Sequence, residues 1–326
     1  MTDFIPRRGL RNGHVMTVYA WAKPRRFPHL PKAEPRYFDT EERTRVLAHT
    51  YWQRERTRHP LLLALHGLEG SSEAHYMRGL ADKAYRSGFN VMLLNQRNCG
   101  GTEALCEGLY HSGLTDDAAH VVGEVVRTDG VDRIVVAGYS LGGNLALKLA
   151  GDAGSTPPPQ LRGVCAVSPI IEIEPCVRAL ERRANVAYQL NFVRGLRARM
   201  RRKQLTHPGR FALDKLKDVW TVRRFDDTYT APFFGFASAE DYYHRASAMR
   251  VVDRISVPAL IITAEDDPFV PVEPFRDPRV TSNPHITLKV TRHGGHCGFV
   301  GEATAASDGY WAEDQIVQFA SIVAAA

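Results

Sequence analysis

The sequence predicts an α/β fold in which a mostly parallel central sheet carries helices on both faces and a helical insertion late in the chain. Three observations predict it. Short continuous apolar runs recur along the chain, helical stretches alternate with them, and the alternation breaks between about Glu172 and Ser256 before resuming. The 326 residues, 44% apolar and 24% charged, suffice for one large core that carries an insertion.

Residues 1–40 are rich in proline and arginine, with Phe4, Tyr19, Trp21, Phe27, Tyr37 and Phe38 between them. They read as an extended arm packing on the core. From Arg45 the alternation Val46, Ala48, Thr50, Trp52 predicts an early antiparallel strand. Leu61 to Leu65 is apolar at every position, and the runs from Phe89 to Leu94, Arg133 to Ala137, Leu161 to Val167, Pro258 to Thr263 and Ile286 to Val290 resemble it. Such runs suit strands buried on both faces of a parallel sheet. Helical stretches lie between them at 73–87, 115–128, 141–150 and 311–323. Asp116 and Asp117 would cap the second of these. The core is thus 41–171 and 257–326, and 172–256 is a helical lid in which Tyr242 and Tyr243 pack lid to core.

Composition narrows the function classes. The stretch from Met1 to Leu10 lacks a signal-peptide core, and no run of about 18 apolar residues suits a membrane-spanning helix. The five cysteines are scattered, without CxxC spacing, so they read as apolar fillers in a reducing cytoplasm, with no disulfide framework or zinc site. The net charge of +6 is concentrated between Arg178 and Arg224, where only Glu181, Asp214 and Asp218 are acidic. A solvated helical surface is the first reading of that run. Its charge also suits contact with anionic lipid at a membrane surface, whereas no nucleic-acid-binding fold is recognisable.

The chemistry centres on Gly138-Tyr139-Ser140-Leu141-Gly142, which follows the apolar run Ile134 to Ala137 and precedes a helical one. That is the strand–turn–helix setting of a nucleophile elbow, whose glycines leave room for a sharp turn that lifts the serine above the sheet. A serine needs a base, and in this arrangement an acid and then a histidine follow it along the chain. Asp266 and Asp267 end one buried strand, and His293 and His296 follow the next. Asp267, four residues before Pro271, is the expected acid, and His296, deeper in the glycine-flanked loop, the expected base. His293 would pack at the strand end. The oxyanion of a tetrahedral intermediate would be held by the backbone N–H of Leu141 and by that of Leu68 in the loop His66-Gly67-Leu68-Glu69-Gly70. His66 reads as a structural hydrogen bonder.

These strings, with Asn95 to Gly101, Tyr110-His111-Ser112-Gly113, Phe225-Asp226-Asp227, Tyr242-Tyr243 and the early Asn12 to Thr17, resemble the YheT-like bacterial hydrolases, which are related to the mammalian α/β-hydrolase-domain lipases. The resemblance spans nearly the whole chain. It implies an α/β-hydrolase fold, esterase or lipase activity, no cofactor, and Ser140, Asp267 and His296 as the triad. One departure is Asn98, where relatives often carry glycine. Arg97 reads as the partner of a buried acid.

The expected activity is hydrolysis of a small-molecule carboxylic ester of short or medium acyl chain, through an acyl-enzyme on Ser140. An acyltransferase would use the same triad, and a lipase or phospholipase the same chemistry on lipid. A non-catalytic scaffold is disfavoured by the intact serine, acid, histidine and glycine positions.

Overall fold

The computed structural model describes residues 3–305 and 307–326. Eight strands form one sheet in the order β1-β2-β4-β3-β5-β6-β7-β8. They are β1 (Glu34–Glu41), β2 (Thr44–Tyr51), β3 (Leu61–Leu65), β4 (Asn90–Leu94), β5 (Ile134–Tyr139), β6 (Leu161–Val167), β7 (Ala259–Ala264) and β8 (Ile286–Thr291). β1 and β2 pair antiparallel, and β2 joins β4 antiparallel. From β4 through β3 to β8 every pairing is parallel.

The apolar runs are continuous because both faces of the sheet are covered. Leu61, Leu63 and Leu65 join one buried cluster while Leu62 and Ala64 join another, the two-residue period of a strand dividing its side chains between two cores. On the first face lie α3 (Asp116–Asp129) and α4 (Leu141–Ala153); on the second lie α2 (His75–Arg86) and the C-terminal helix Trp311–Ala325. Between β6 and β7 come α5 (Ile173–Leu180), α6 (Val186–Thr206) and shorter helical pieces up to Ala239–Ala246. This segment contributes Val193, Leu196, Met200 and Phe225 to the first core.

Four expectations need correction. The arm is not simply extended: Gly13–Ala22 is α1, capped by Asn12, whose side chain accepts the Val15 N–H at 3.1 Å. The sheet also begins earlier than Arg45, because β1 uses residues whose charged side chains face solvent and hide the strand pattern. Finally, β8 is an edge strand with a half-exposed row of side chains, so Ile286 to Val290 is not buried on both faces. Nor do Asp116 and Asp117 cap α3: both lie in its first turn after Thr115, and the Asp117 carboxylate takes a bidentate pair of 2.7 Å bonds from Arg97, with both of those side chains buried. That pair is the buried acid expected for Arg97, and removing one partner costs about 3–5 kcal/mol.

Candidate active site

The loops that leave the carboxyl ends of the parallel strands converge on one edge, the usual site of ligands in open α/β sheets. Backbone strain marks the same edge. Seven described non-glycine residues have positive φ, and six of them (Glu69, Asn98, Ser140, Ser168, Cys297 and Phe299) lie in loops following β3, β4, β5, β6 and β8. Strained conformations of this kind cluster where function demands them.

Ser140 links β5 to α4 with φ 55° and ψ −116°. Its glycines are sterically required. A Cβ on Gly138 would lie 2.0 Å from the Gly142 carbonyl oxygen, and one on Gly142 would lie 2.2 Å from that of Leu65. The β3 loop comes as close: a Cβ on Gly67 would meet Ser140 Cβ at 3.3 Å. Within that loop His66 is wholly buried, and its Nε2 accepts the Gln96 N–H at 3.1 Å. Burial lowers its pKa to about 4, so it serves as a neutral hydrogen bonder, as expected. Among the described residues, neither the Leu68 nor the Leu141 N–H has a hydrogen-bond acceptor, and both residues line the cavity beside Ser140.

The acid and histidine loops form two pairs. Asp267, its side chain fully buried, accepts His296 Nδ1–H at 2.9 Å through one oxygen. Its other oxygen accepts the N–H groups of Phe269 and Val270 at 3.1 and 2.9 Å. Asp266 lies 3.3 Å from His293 Nδ1 and accepts the Gly295 N–H at 2.9 Å, so it braces the loop, and His293 stays with it at the strand end. Burial disfavours a charged His296 imidazole, but the Asp267 carboxylate outweighs it and the pKa is raised. With Nδ1 engaged by the carboxylate, Nε2 is the other ring nitrogen. No hydrogen bond joins it to Ser140 Oγ among the described residues; such contacts are commonly loose without substrate and tighten when it binds.

Two supports were not legible in the sequence. Thr17 Oγ1 of α1 accepts the His296 N–H at 2.8 Å and donates to the Gly13 carbonyl at 2.7 Å. Against the imidazole, the Phe269 ring packs in a tilted arrangement with centroids 4.1 Å apart, and Tyr188 of α6 packs on Phe269 at 5.3 Å. The only early hint of the first was the string Asn12 to Thr17.

The cavity beginning at Ser140 has a volume of about 70 Å³ and is lined mainly by apolar side chains, among them Ile170, Ile173, Val177, Leu180 and Phe192. Its polar members come from the core, with Tyr110, His111, Ser112 and Ser140, and from the 172–256 segment. Arg199 is buried and pairs with Glu69 at 2.6 Å, next to Leu68. Asp226 accepts from Thr230 and Tyr243, and burial nonetheless raises its pKa to about 6. Tyr242 and Tyr243 pack this segment to the core and also line the cavity; Tyr242 donates to Ser112 Oγ at 2.8 Å. Asn98, the departure noted above, has φ 63°, a left-handed position that asparagine tolerates. It also gains a role glycine could not fill, accepting Lys203 Nζ of α6 at 2.8 Å. A larger depression, bounded by Asp152, Arg254 and His285, opens at the opposite end of the sheet, away from this chemistry. Among the described residues no cluster of three metal-ligating side chains converges.

Residues 60–303 match the family model for the alpha/beta hydrolase fold. The chain belongs to the α/β-hydrolase family. Among its relatives is YheT of Escherichia coli, named as a candidate esterase, which is 34% identical with coverage of 96% of this chain and 92% of that protein. Mouse phospholipase ABHD3 is 28% identical over 74% of this chain but only 58% of its own length. This α/β hydrolase thus sits with the esterases and lipases of the family, in the YheT-like branch. Two solved structures share its fold at 16% identity. The Pyrococcus furiosus esterase Pf2001 has a TM-score of 0.58, covering 89% of this chain and 92% of that one. The 2,6-dihydroxy-pseudo-oxynicotine hydrolase has a TM-score of 0.59, covering 95% and 72% respectively.

Proposed function

We propose that this chain is a serine hydrolase of carboxylic esters that works through an acyl-enzyme on Ser140. The observation that carries the reading is the fully buried Asp267 carboxylate, fixed by two backbone N–H groups and bound to His296 Nδ1 at the edge where Ser140 is lifted on a strained turn. A buried carboxylate so placed holds one tautomer of the imidazole and favours the imidazolium that forms when the ring takes a proton.

The sequence of events follows. His296 Nε2 removes the Ser140 proton as Oγ bonds to the ester carbonyl carbon. The resulting oxyanion is received by the N–H groups of Leu68 and Leu141, each worth roughly 10²–10³ in turnover. The intermediate collapses by breaking the bond to the alkoxy oxygen, which leaves as alcohol with the proton from His296. Water, deprotonated by the same ring, then attacks the acyl carbon, and the acid departs from a regenerated serine.

A volume of about 70 Å³ is far below the roughly 300–1,000 Å³ of pockets for drug-sized ligands. The 172–256 segment therefore acts as a lid that yields to admit an acyl chain of short or medium length against its apolar wall. The names of the relatives, esterase and phospholipase, support ester bonds as the target class.

A fluorophosphonate probe tests the reading directly. One equivalent should bind and map by mass spectrometry to the peptide containing Ser140; a folded protein that stays unlabelled, or labels elsewhere, overturns it. Thr17 supplies a second test. It acts through the His296 backbone, so Thr17→Val should lower kcat on a p-nitrophenyl ester by roughly tenfold, the order expected when a positioned group loosens, with KM little changed. Thr17→Ser keeps the oxygen and should restore kcat. Equal losses in both variants would make Thr17 a packing residue only.

A further inference from the structure

Two exposed apolar surfaces adjoin the ring cluster that packs on His296, and neither is used by the chemistry. On α1, Val15, Val18 and Trp21 are 48%, 51% and 71% exposed, at the three-residue spacing of one helix face. The opposite face of α1 is buried through Gly13, Met16 and Ala20. On α6, Val186 and Leu190 are 54% and 50% exposed, one turn apart, and Arg194 and Arg201 continue the same solvent-facing stripe. The first turns of the two helices meet where the His14 ring stacks on that of Tyr188, with centroids 5.8 Å apart and His14 Nδ1 3.3 Å from the tyrosine hydroxyl. Tyr188 packs on Phe269, and Phe269 on His296. The apolar turns therefore stand two rings from the imidazole.

Charge distinguishes the two segments that carry these stripes. No acidic residue occurs from Phe4 to Ala33, which spans α1, or from Arg182 to Leu213, which spans α6. Arg11 and Lys23 bracket the α1 stripe, and Arg182 and Arg183 precede the α6 stripe; all four are exposed. An apolar stripe with an amphipathic aromatic at its end, bordered by cations and carrying no acid on its own helices, is the combination that lies in the headgroup layer of a negatively charged bilayer; the carboxylate nearest α1, Asp266, is engaged by His293 and the Gly295 N–H. Among the described residues no helix is long and apolar enough to cross a membrane, so such a contact would be peripheral.

We infer that the α1–α6 face is a docking surface for an anionic lipid bilayer, which brings the side of the molecule carrying His296 against the membrane. The cations supply attraction that weakens with salt, and Trp21, Val18 and Leu190 supply the apolar anchor. That the docked side carries a hydrolytic base rests on the proposed function; the docking itself does not.

Sedimentation with vesicles tests the inference. The protein should partition into phosphatidylcholine vesicles containing about one-third phosphatidylglycerol, and at least tenfold more weakly into phosphatidylcholine alone, since each nearby cation is worth about fivefold. Arg194→Glu with Arg201→Glu should reduce binding by about 25-fold or more on the same scale. Val18→Ser with Trp21→Ser should reduce it roughly tenfold or more, by loss of apolar insertion. All these residues are exposed, and unchanged circular dichroism would show the variants folded. Ser140→Ala protein should dock like the wild type, which separates failure of docking from failure of the hydrolytic reading. Equal affinity for neutral and anionic vesicles, no binding at all, or variants indistinguishable from wild type would overturn the inference. So would retention on duplex DNA, lost in the same variants, without retention on vesicles.

Discussion

Replacing Ser140 by alanine is expected to lower turnover of a p-nitrophenyl ester by about 10⁵–10⁶-fold while leaving the melting temperature nearly unchanged. The size follows from the unitary behaviour of a serine–histidine–acid constellation, in which loss of the nucleophile removes almost everything except what the oxyanion donors and binding supply. The neutrality of the stability change follows from the turn. Alanine keeps the Cβ, so the positive φ at 140 and the close approach of Gly67 to Ser140 Cβ are unaltered. Turnover is the decisive measurement: a variant retaining more than about a hundredth of wild-type activity would place the nucleophile elsewhere.

The second large effect separates two adjacent acids. Asp267→Asn should cost roughly 10³–10⁴ in kcat, because the buried amide no longer holds the productive tautomer of His296 or stabilises its cation. Asp266→Asn should cost less than about tenfold, since its partners are His293 and the Gly295 N–H, which shape the loop without touching His296 Nδ1. The pH profile carries the same distinction. Only the neutral imidazole can accept the serine proton, so activity rises with pH as His296 loses its own. The Asp267 carboxylate raises that pKa, and so holds the rising limb at higher pH. Removing the carboxylate charge lowers the pKa, and the residual activity of Asp267→Asn should have its limb displaced towards acid. In Asp266→Asn the limb should stay where it is. The reverse ranking would transfer the acid's role to Asp266.

Much of the fold was legible because its strands are buried on both faces, which leaves an unbroken apolar signature at Leu61–Leu65, Leu161–Val167 and Ala259–Ala264. Where one side meets water the signature fades. β1 alternates proline, arginine and acids and passed for irregular chain, while β8 kept its apolar residues but lies at the sheet edge. The turn at Ser140 announced itself through glycines whose absence of a Cβ is sterically enforced. His296 pairs with Asp267 and His293 with Asp266, and the sequence separated them only by the spacing of Asp267 to Pro271 and the glycines flanking His296. The supports were hidden for a different reason. Arg199 is one arginine in a strongly basic run, and only the assembled chain shows that it is buried against Glu69 while Arg194, Arg201 and Arg202 face solvent. Thr17 lies 279 residues from the N–H it holds, a separation beyond the reach of any local pattern.

That last contact has a consequence for how the molecule comes together. The loop carrying His296 is moored to a helix 279 residues earlier in the sequence, so it reaches its observed position only once both segments have settled on the same rim. Contacts between such remote segments close large loops and are slow to form. Competence to react is therefore a late property of this chain, gained after the interior strands have already found their neighbours.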